Sequence, residues 1–522
     1  MSTVLVEQGV TRHKNKPAKK RGKYIYGSPL RTVIVGTLGS LLMMFGSFGV
    51  GWLADASPLN RLSFIIMLRY NVAGIIFCIS LLAIGGMMLC REWLRLSQKL
   101  VVWRGSAQRW TWLAIICWTA PQLLAFPLFS RDVFSYFAQG RVMLAGMNPY
   151  EFGVSSINNF FQYGADPLWA QSPPPYGPVF LWLEQLVAWL AGNNIDAGIY
   201  MFRILALVGV GLIAYFVPKL AGLHDINGVR ALWLLAANPL FIAQFVTAGH
   251  NDALMTGLAL AATYYAAAHR NWKGGLAGTT LMTAAIAVKP IALVALPFIA
   301  LFWAGRGASW PRKFCFGALT LGIFTAQMAL MGWINGLGFG WVGALSTTGG
   351  QYIWYAPIGF ISWGVGSIAA SLFGSGIEAE VRDCVGSIGK MLGMVGALAM
   401  IFLGRDERLI RRIGYALAFV VLFSPMIQSW YLLWIIPFIA VSGIRTDWQL
   451  DFYFITTLFF MIYAISDQLD VSPYLQDFDT NMGRLLAVVI SLAYACYLVF
   501  IDPATRRVLR RGHRSSVFQL II

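Results

Sequence analysis

The sequence predicts an all-α polytopic membrane protein, and three observations predict it. Of 522 residues 58% are apolar and only 12% charged, against roughly 45–50% apolar and about 25% charged in an ordinary soluble domain. Apolar runs of about 20 residues, the length a helix needs to cross a bilayer, recur along the whole chain. The basic residues gather in the short connections between those runs. Length alone suggests several domains, but the polar linkers that would separate them are missing after residue 31. The expected organisation is a basic tail over 1–31, one membrane domain over 32–502 and a second basic tail over 503–522.

The runs follow in order at 32–53, 64–89, 110–129, 196–220, 229–248, 314–333, 384–403, 449–467 and 483–502. The stretches 253–304 and 413–444 are also apolar, and a Pro-containing turn breaks each one, at Lys289-Pro290 and from Ser424-Pro425 to Trp430. Each reads as two shorter helices with the turn on the opposite side, since neighbouring helices satisfy the backbone groups that Pro and Gly free. The segment 179–191 is too short to span comfortably and reads as a helix lying on the outer leaflet. The acidic flank Glu378, Glu380 and Asp383 keeps 334–383 outside, with 357–373 as a surface or re-entrant helix. About 14 transmembrane helices result.

Charge sets the orientation. Thirty of the 39 Lys and Arg fall on one face, in 1–31, 91–109, 306–313, 405–412, the tail after Pro503, and at Lys219, Arg230, Arg270, Lys273 and Arg445. That face is therefore cytoplasmic, with both termini on it, in a multi-pass plasma-membrane protein. It carries +22 and everything else −5, so the overall +17 is a topology signal and no nucleic-acid partner is implied. The basic N-terminus lacks the apolar core and small-residue cleavage site of a signal peptide and reads as a retained tail. The six cysteines form no CxxC pair, and no P-loop, dinucleotide fingerprint or HExxH occurs. The chemistry must therefore use the membrane face.

The outer loops are long, 130–195 and 334–383, and structureless loops of that length are usually functional. The first opens with Ser130-Arg131-Asp132-Val133-Phe134-Ser135-Tyr136-Phe137-Ala138-Gln139-Gly140-Arg141. This reads as an amphipathic helix capped by Ser130, with Asp132, Tyr136 and Gln139 on one face. Asp132 there is either a reactive carboxylate or a charge complementing the helix dipole, with Arg131 as its surface partner. The turn Asn148-Pro149-Tyr150 and the stiff Ser172-Pro173-Pro174-Pro175-Tyr176-Gly177-Pro178 follow.

SRDVFSYFAQG with NPY after it, PPYGPVF, NPLFIAQFVTAGHNDALM, AIAVKP and SPMIQSWYLLW, five motifs in order, resemble the actinobacterial α-1,6-mannosyltransferases of lipomannan and lipoarabinomannan assembly. These are the MptA/MptB type of the multi-spanning GT-C glycosyltransferase fold, and the resemblance, leaning to MptB, runs from about residue 30 to 500. It implies a polyprenyl-phosphate-mannose donor, a lipid-anchored mannan acceptor, transfer on the outer face, and a carboxylate of the first outer loop as base. Asp132 stands where that base must stand, just outside the membrane. Transfer from a β-linked phosphosugar to an α product is one in-line displacement with inversion. It needs a single base and cations for the departing phosphate, where a glycosidase would need two flanking carboxylates.

Phosphate ligands are sought among the nine basic residues off the cytoplasmic face. Lys289 at the helix break leads, followed by Arg203 and Arg484 near outer span ends; membrane-embedded charge is costly and a functional candidate by default. Snorkelling to lipid headgroups is the other reading of such residues. His250, in the tight turn Gly249-His250-Asn251-Asp252, can donate to the phosphate. Asp252 can assist the base or hold the acceptor sugar, and Asn251 can bind sugar, or both can simply cap the next helix. Tyr136, Tyr176, Gln428, Trp430 and Tyr431 are candidate sugar contacts, against an ordinary interfacial aromatic belt. Glu184 is a candidate second carboxylate or a solvent-exposed residue. Asp132 and Asp252 can share a divalent ion, but no His/Asp spacing demands a metal, and no cofactor is expected to be required. A same-fold transferase for another lipid-linked sugar such as arabinose is the nearest alternative; a transporter or flippase, which would favour paired discontinuous helices in an internal repeat, is the alternative of another class.

Overall fold

The computed structural model describes residues 28–100, 105–347, 351–444, 448–473, 475 and 477–509. Most of both basic tails, with Arg104, Arg445 and Asp447, lies outside these residues. Every regular element among the described residues is helical, as apolar runs of bilayer-spanning length require. Seven helices are long and apolar enough to cross a membrane: Pro29–Val50, Val72–Lys99, Ile195–Gly222, Trp310–Ile334, Ser375–Phe402, Trp448–Asp467 and Thr480–Ile501. Gly228–Leu235 and Pro239–Thr247 form an eighth if counted together across a 55° bend. Shorter apolar helices occupy Pro178–Ala191, Pro290–Ala304, Pro357–Phe373 and Ser429–Val441.

The stretch 253–304 departs from the expected two helices. It is three pieces, Asp252–Ala268, Trp272–Val288 and the segment from Pro290 to Ala304. The additional turn at 269–271 is cut by Asn271, whose side chain accepts the Gly274 N–H and starts the next helix. The stretch 413–444 divides as expected, between Leu409–Leu422 and Leu432–Val441, with a single 3₁₀ turn at Ser429–Tyr431.

Two features position the site. Helices Ile195–Gly222 and Asp252–Ala268 touch backbone to backbone where Gly209 meets Ala253 and Gly257 meets the Gly209 carbonyl, the close approach that small residues permit in membrane bundles. The chain between them bends where Asn238 precedes Pro239. Proline disfavours helix in the residue before it, and the Asn238 side chain caps the next segment by accepting from Leu240 N–H at 2.8 Å. That segment then widens into a π-helical turn, Ile242–Thr247, and ends at Gly249, whose φ of 69° suits glycine.

Candidate active site

The first outer-loop helix, Asp132–Leu144, starts after Phe129, a non-glycine residue held at φ 71°. Ser130 Oγ accepts the Asp132 N–H at 3.1 Å, although Arg131 occupies the cap position itself. The expected amphipathic character is not observed: Val133 through Gly140 are all buried. The helix Pro178–Ala191 covers them, approaching so closely at Gly140 that a methyl there would collide with the Glu184 backbone carbonyl. Tyr136 accordingly packs edge-on against Tyr176, Phe180 and Phe202 at 4.9–5.5 Å between ring centres. Arg131 is no partner of Asp132. It lies over the Trp52 ring at 4.2 Å and donates to the Gly164 carbonyl at 2.9 Å.

Asp132, at the helix start, keeps its side chain 27% exposed. Its Oδ2 stands 3.6 Å from His250 Nε2, and no Lys or Arg among the described residues comes within ion-pair distance of it. His250 is fully buried. Its Nδ1 pairs at 2.8 Å with the backbone carbonyl of Gln244, an acceptor left open where the π-helical turn ends. Trp430 covers the ring at 4.2 Å between centres. Burial pushes the imidazole below its ordinary pKa, while the Asp132 and Asp252 carboxylates act in the opposite direction.

Beside this pair, Asp252 is completely buried and accepts from Lys289 Nζ on both oxygens, at 2.9 and 2.8 Å, and from Trp434 Nε1 at 2.6 Å. The Lys289 ammonium also faces the rings of Tyr176 and Trp434 at 5.7 and 5.5 Å. Tyr431 stacks on Trp434 at 4.2 Å. Four chain segments far apart in sequence therefore converge: the start of the Asp132 helix, the 249–252 turn, the break at Lys289 and the 429–434 turn. A wall of buried polar atoms without a partner among the described residues adjoins them, comprising both amide atoms of Asn251 and Trp430 Nε1. Buried polar groups are rarely left so, and this set suits the hydroxyls of a sugar. Asn251 sits at the cap position of the Asp252 helix without making a capping bond, so capping does not account for its side chain.

Other expected site residues lie elsewhere. Arg203 is buried and donates to the Thr247 and Leu123 backbone carbonyls, holding the turn from behind. Arg484 donates to the Asp467 carbonyl at 3.1 Å and makes no hydrogen bond or ion pair with the convergent residues described above. Gln428 is half-buried just before the 429–431 turn, where its carbonyl accepts from Tyr431 N–H. Glu184 is not exposed, and it makes no hydrogen bond or ion pair with Asp132. It is sealed in the protein, both carboxyl oxygens lack a partner, and burial holds the group well above the usual carboxylate range. Trp434 and the Gln244 carbonyl were not anticipated. The closing Trp of SPMIQSWYLLW, one helical turn beyond Trp430, was the available signal for the first.

Comparison with known proteins adds an independent line. Residues 33–305 match a family model described as the N-terminal domain of α-(1→6)-mannopyranosyltransferases, and residues 358–500 match one described as the MptB C-terminal domain. A probable α-(1→6)-mannopyranosyltransferase of Mycolicibacterium smegmatis is 32% identical over 443 residues, 78% of each chain. An α-(1→6)-mannopyranosyltransferase of Mycobacterium tuberculosis is 29% identical over 518 residues, 89% of this chain and 87% of its own. α-(1→6)-Mannopyranosyltransferase B of Corynebacterium glutamicum is 23% identical over 457 residues, 82% of this chain and 75% of its own. No solved structure matches.

Proposed function

The chain belongs to the α-(1→6)-mannopyranosyltransferase family and is a mannosyltransferase, and from that premise we propose that it transfers mannose from polyprenyl-phosphate-mannose to the 6-hydroxyl of a lipid-anchored α-1,6-mannan in lipomannan and lipoarabinomannan assembly. In this reading the fold is of the GT-C kind. With the bent pair taken as one crossing, Ser106–Thr119, Asp252–Ala268, Trp272–Val288, Pro290–Ala304, Leu409–Leu422 and Ser429–Val441 bring the crossings to about fourteen, both termini are cytoplasmic, and the reaction runs on the extracytoplasmic face of the plasma membrane. The lipid tail of the donor stays in the bilayer and presents its anomeric carbon at the interface.

The observation that carries the reading is the pairing of the two carboxylates. Asp252 is neutralised by Lys289. Asp132 has no Lys or Arg within ion-pair distance among the described residues and is the more exposed of the two, so its carboxylate is the one an acceptor hydroxyl can reach. It takes the proton of the acceptor hydroxyl as that oxygen attacks the anomeric carbon, and the configuration inverts. Lys289, tethered by Asp252 and flanked by Tyr176 and Trp434, is the cation for the departing phosphate. Asn251, Trp430 and Tyr431 contact the sugars. No divalent metal enters the mechanism.

The test is transfer of radiolabelled mannose to a synthetic α-1,6-mannoside in membranes containing the full chain, in excess chelator. Polyprenyl-phosphate-mannose, polyprenyl-phosphate-arabinose and nucleotide-linked mannose are compared as donors. Transfer from the first alone is expected. Transfer from either of the others in preference, or only after Mg²⁺ or Mn²⁺ is restored, would overturn the reading.

A further inference from the structure

One hydrogen bond fixes the chemistry of the His250 ring. Nδ1 lies 2.8 Å from the Gln244 carbonyl, and a carbonyl only accepts, so Nδ1 carries the ring proton. In the neutral ring Nε2 is then a lone pair. It has no hydrogen-bond partner among the described residues and faces Asp132 Oδ2 at 3.6 Å. Two acceptors confront one another across a gap, an arrangement that repels until a proton enters it. The ring cannot readily turn away, being fully buried under Trp430. This orientation also disfavours the donor-phosphate role expected of His250, which requires a proton on Nε2.

We propose that His250 is the proton-sharing partner of Asp132 during transfer. The inference rests on the assignment of Asp132 as base and deepens it. As the acceptor O6 forms its bond to the anomeric carbon, the bond from that carbon to the phosphate oxygen breaks, and its electron pair leaves on the lipid phosphate. The O6–H proton passes to Asp132 and is then held between Oδ2 and Nε2 as an imidazolium–carboxylate pair, which releases it to water when the product leaves. His250 acts through Asp132 and is a positioning residue. The charged groups facing its ring are Asp132, Asp252 from its own turn and Lys289 from the helix break; Tyr136 and Tyr431 are the neighbouring phenols of the same pocket. Asp252 and Lys289 offset one another, which leaves Asp132 as the unbalanced charge.

The experiment compares wild type, His250→Asn, His250→Gln and Asp132→Asn as full chains in membranes, with expression matched. The Asn amide can reproduce the Nδ1–H donor to Gln244 but has no group at Nε2, and Gln is the second variant in case Asn does not accumulate. Expected for His250→Asn is a fall in kcat of about 10–100-fold, below the ~10²–10⁴ that a general base itself contributes, with donor and acceptor KM kept within about twofold. The acid limb of the kcat–pH profile should also move to lower pH, because the carboxylate alone then takes the blocking proton. If kcat and the acid limb stay at wild type while Asp132→Asn is inactive, the partnership is wrong and the base assignment survives. A rise in donor KM alone would return His250 to the phosphate and overturn the proposal. An active Asp132→Asn enzyme would remove the base assignment and the proposal with it.

Discussion

Replacing Asp252 with Asn leaves the Lys289 ammonium inside the protein without its counter-charge. The wild-type pair is bidentate at 2.9 and 2.8 Å, with side chains only 12% and 0% exposed. Removing one partner of a buried ion pair costs about 3–5 kcal/mol. Asn still accepts from Trp434 Nε1, and water reaches the slightly exposed ammonium, so the lower end, about 3 kcal/mol, is expected. Lys289→Met in the same chain removes the stranded charge, and the double variant should return to within about 1 kcal/mol of wild type. The assay is a double-mutant cycle on unfolding of the purified full chain in detergent, with donor KM measured in parallel. Lys289→Met alone leaves the buried Asp252 carboxylate without its cation, so it should also destabilise by about 3–5 kcal/mol, and it should raise the donor KM. If the two substitutions add to within about 0.5 kcal/mol, as independent sites do, the pair is not coupled and its place in the site fails with it.

Three further outcomes are expected. Gly140→Ala forces the Asp132 helix away from Pro178–Ala191 and should destabilise by about 1–3 kcal/mol, the cost of overpacking a close contact; an unchanged melting midpoint would contradict the contact. Arg203→Lys cannot hold the Thr247 and Leu123 carbonyls together and should lower stability with donor KM unchanged; a donor KM effect at full stability would restore Arg203 to the phosphate site. Glu184, with its folded pKa raised by burial, contributes stability that is full below its unfolded pKa and lost as pH rises towards its folded one. Glu184→Gln should therefore flatten that decline and be at least as stable as wild type at pH 7, and a stability loss at pH 7 would count against a neutral buried acid.

The sequence revealed whatever lies in a short polar interruption of an apolar run. Asp132, the 249–252 turn, Lys289-Pro290 and the 429–431 turn all break hydrophobic patterns that should otherwise continue, and the structure brings these four together. What it concealed depends on contacts between distant segments. The composition of Pro178–Ala191 does not say that it covers the Asp132 helix, so Tyr136 and Gln139 look like an open polar face when they are buried. Arg203 looks like a stranded cation because its partners are backbone carbonyls, which carry no side-chain signature. The π-helical turn that offers the Gln244 carbonyl to His250 is likewise invisible to an apolar pattern.

The central claim is that Asp132 accepts the acceptor proton, and single-turnover mannose transfer by Asp132→Asn, at matched expression and saturating donor, tests it most directly. The account predicts a rate lower by about 10²–10⁴ with donor affinity retained. Turnover equal to wild type would contradict it.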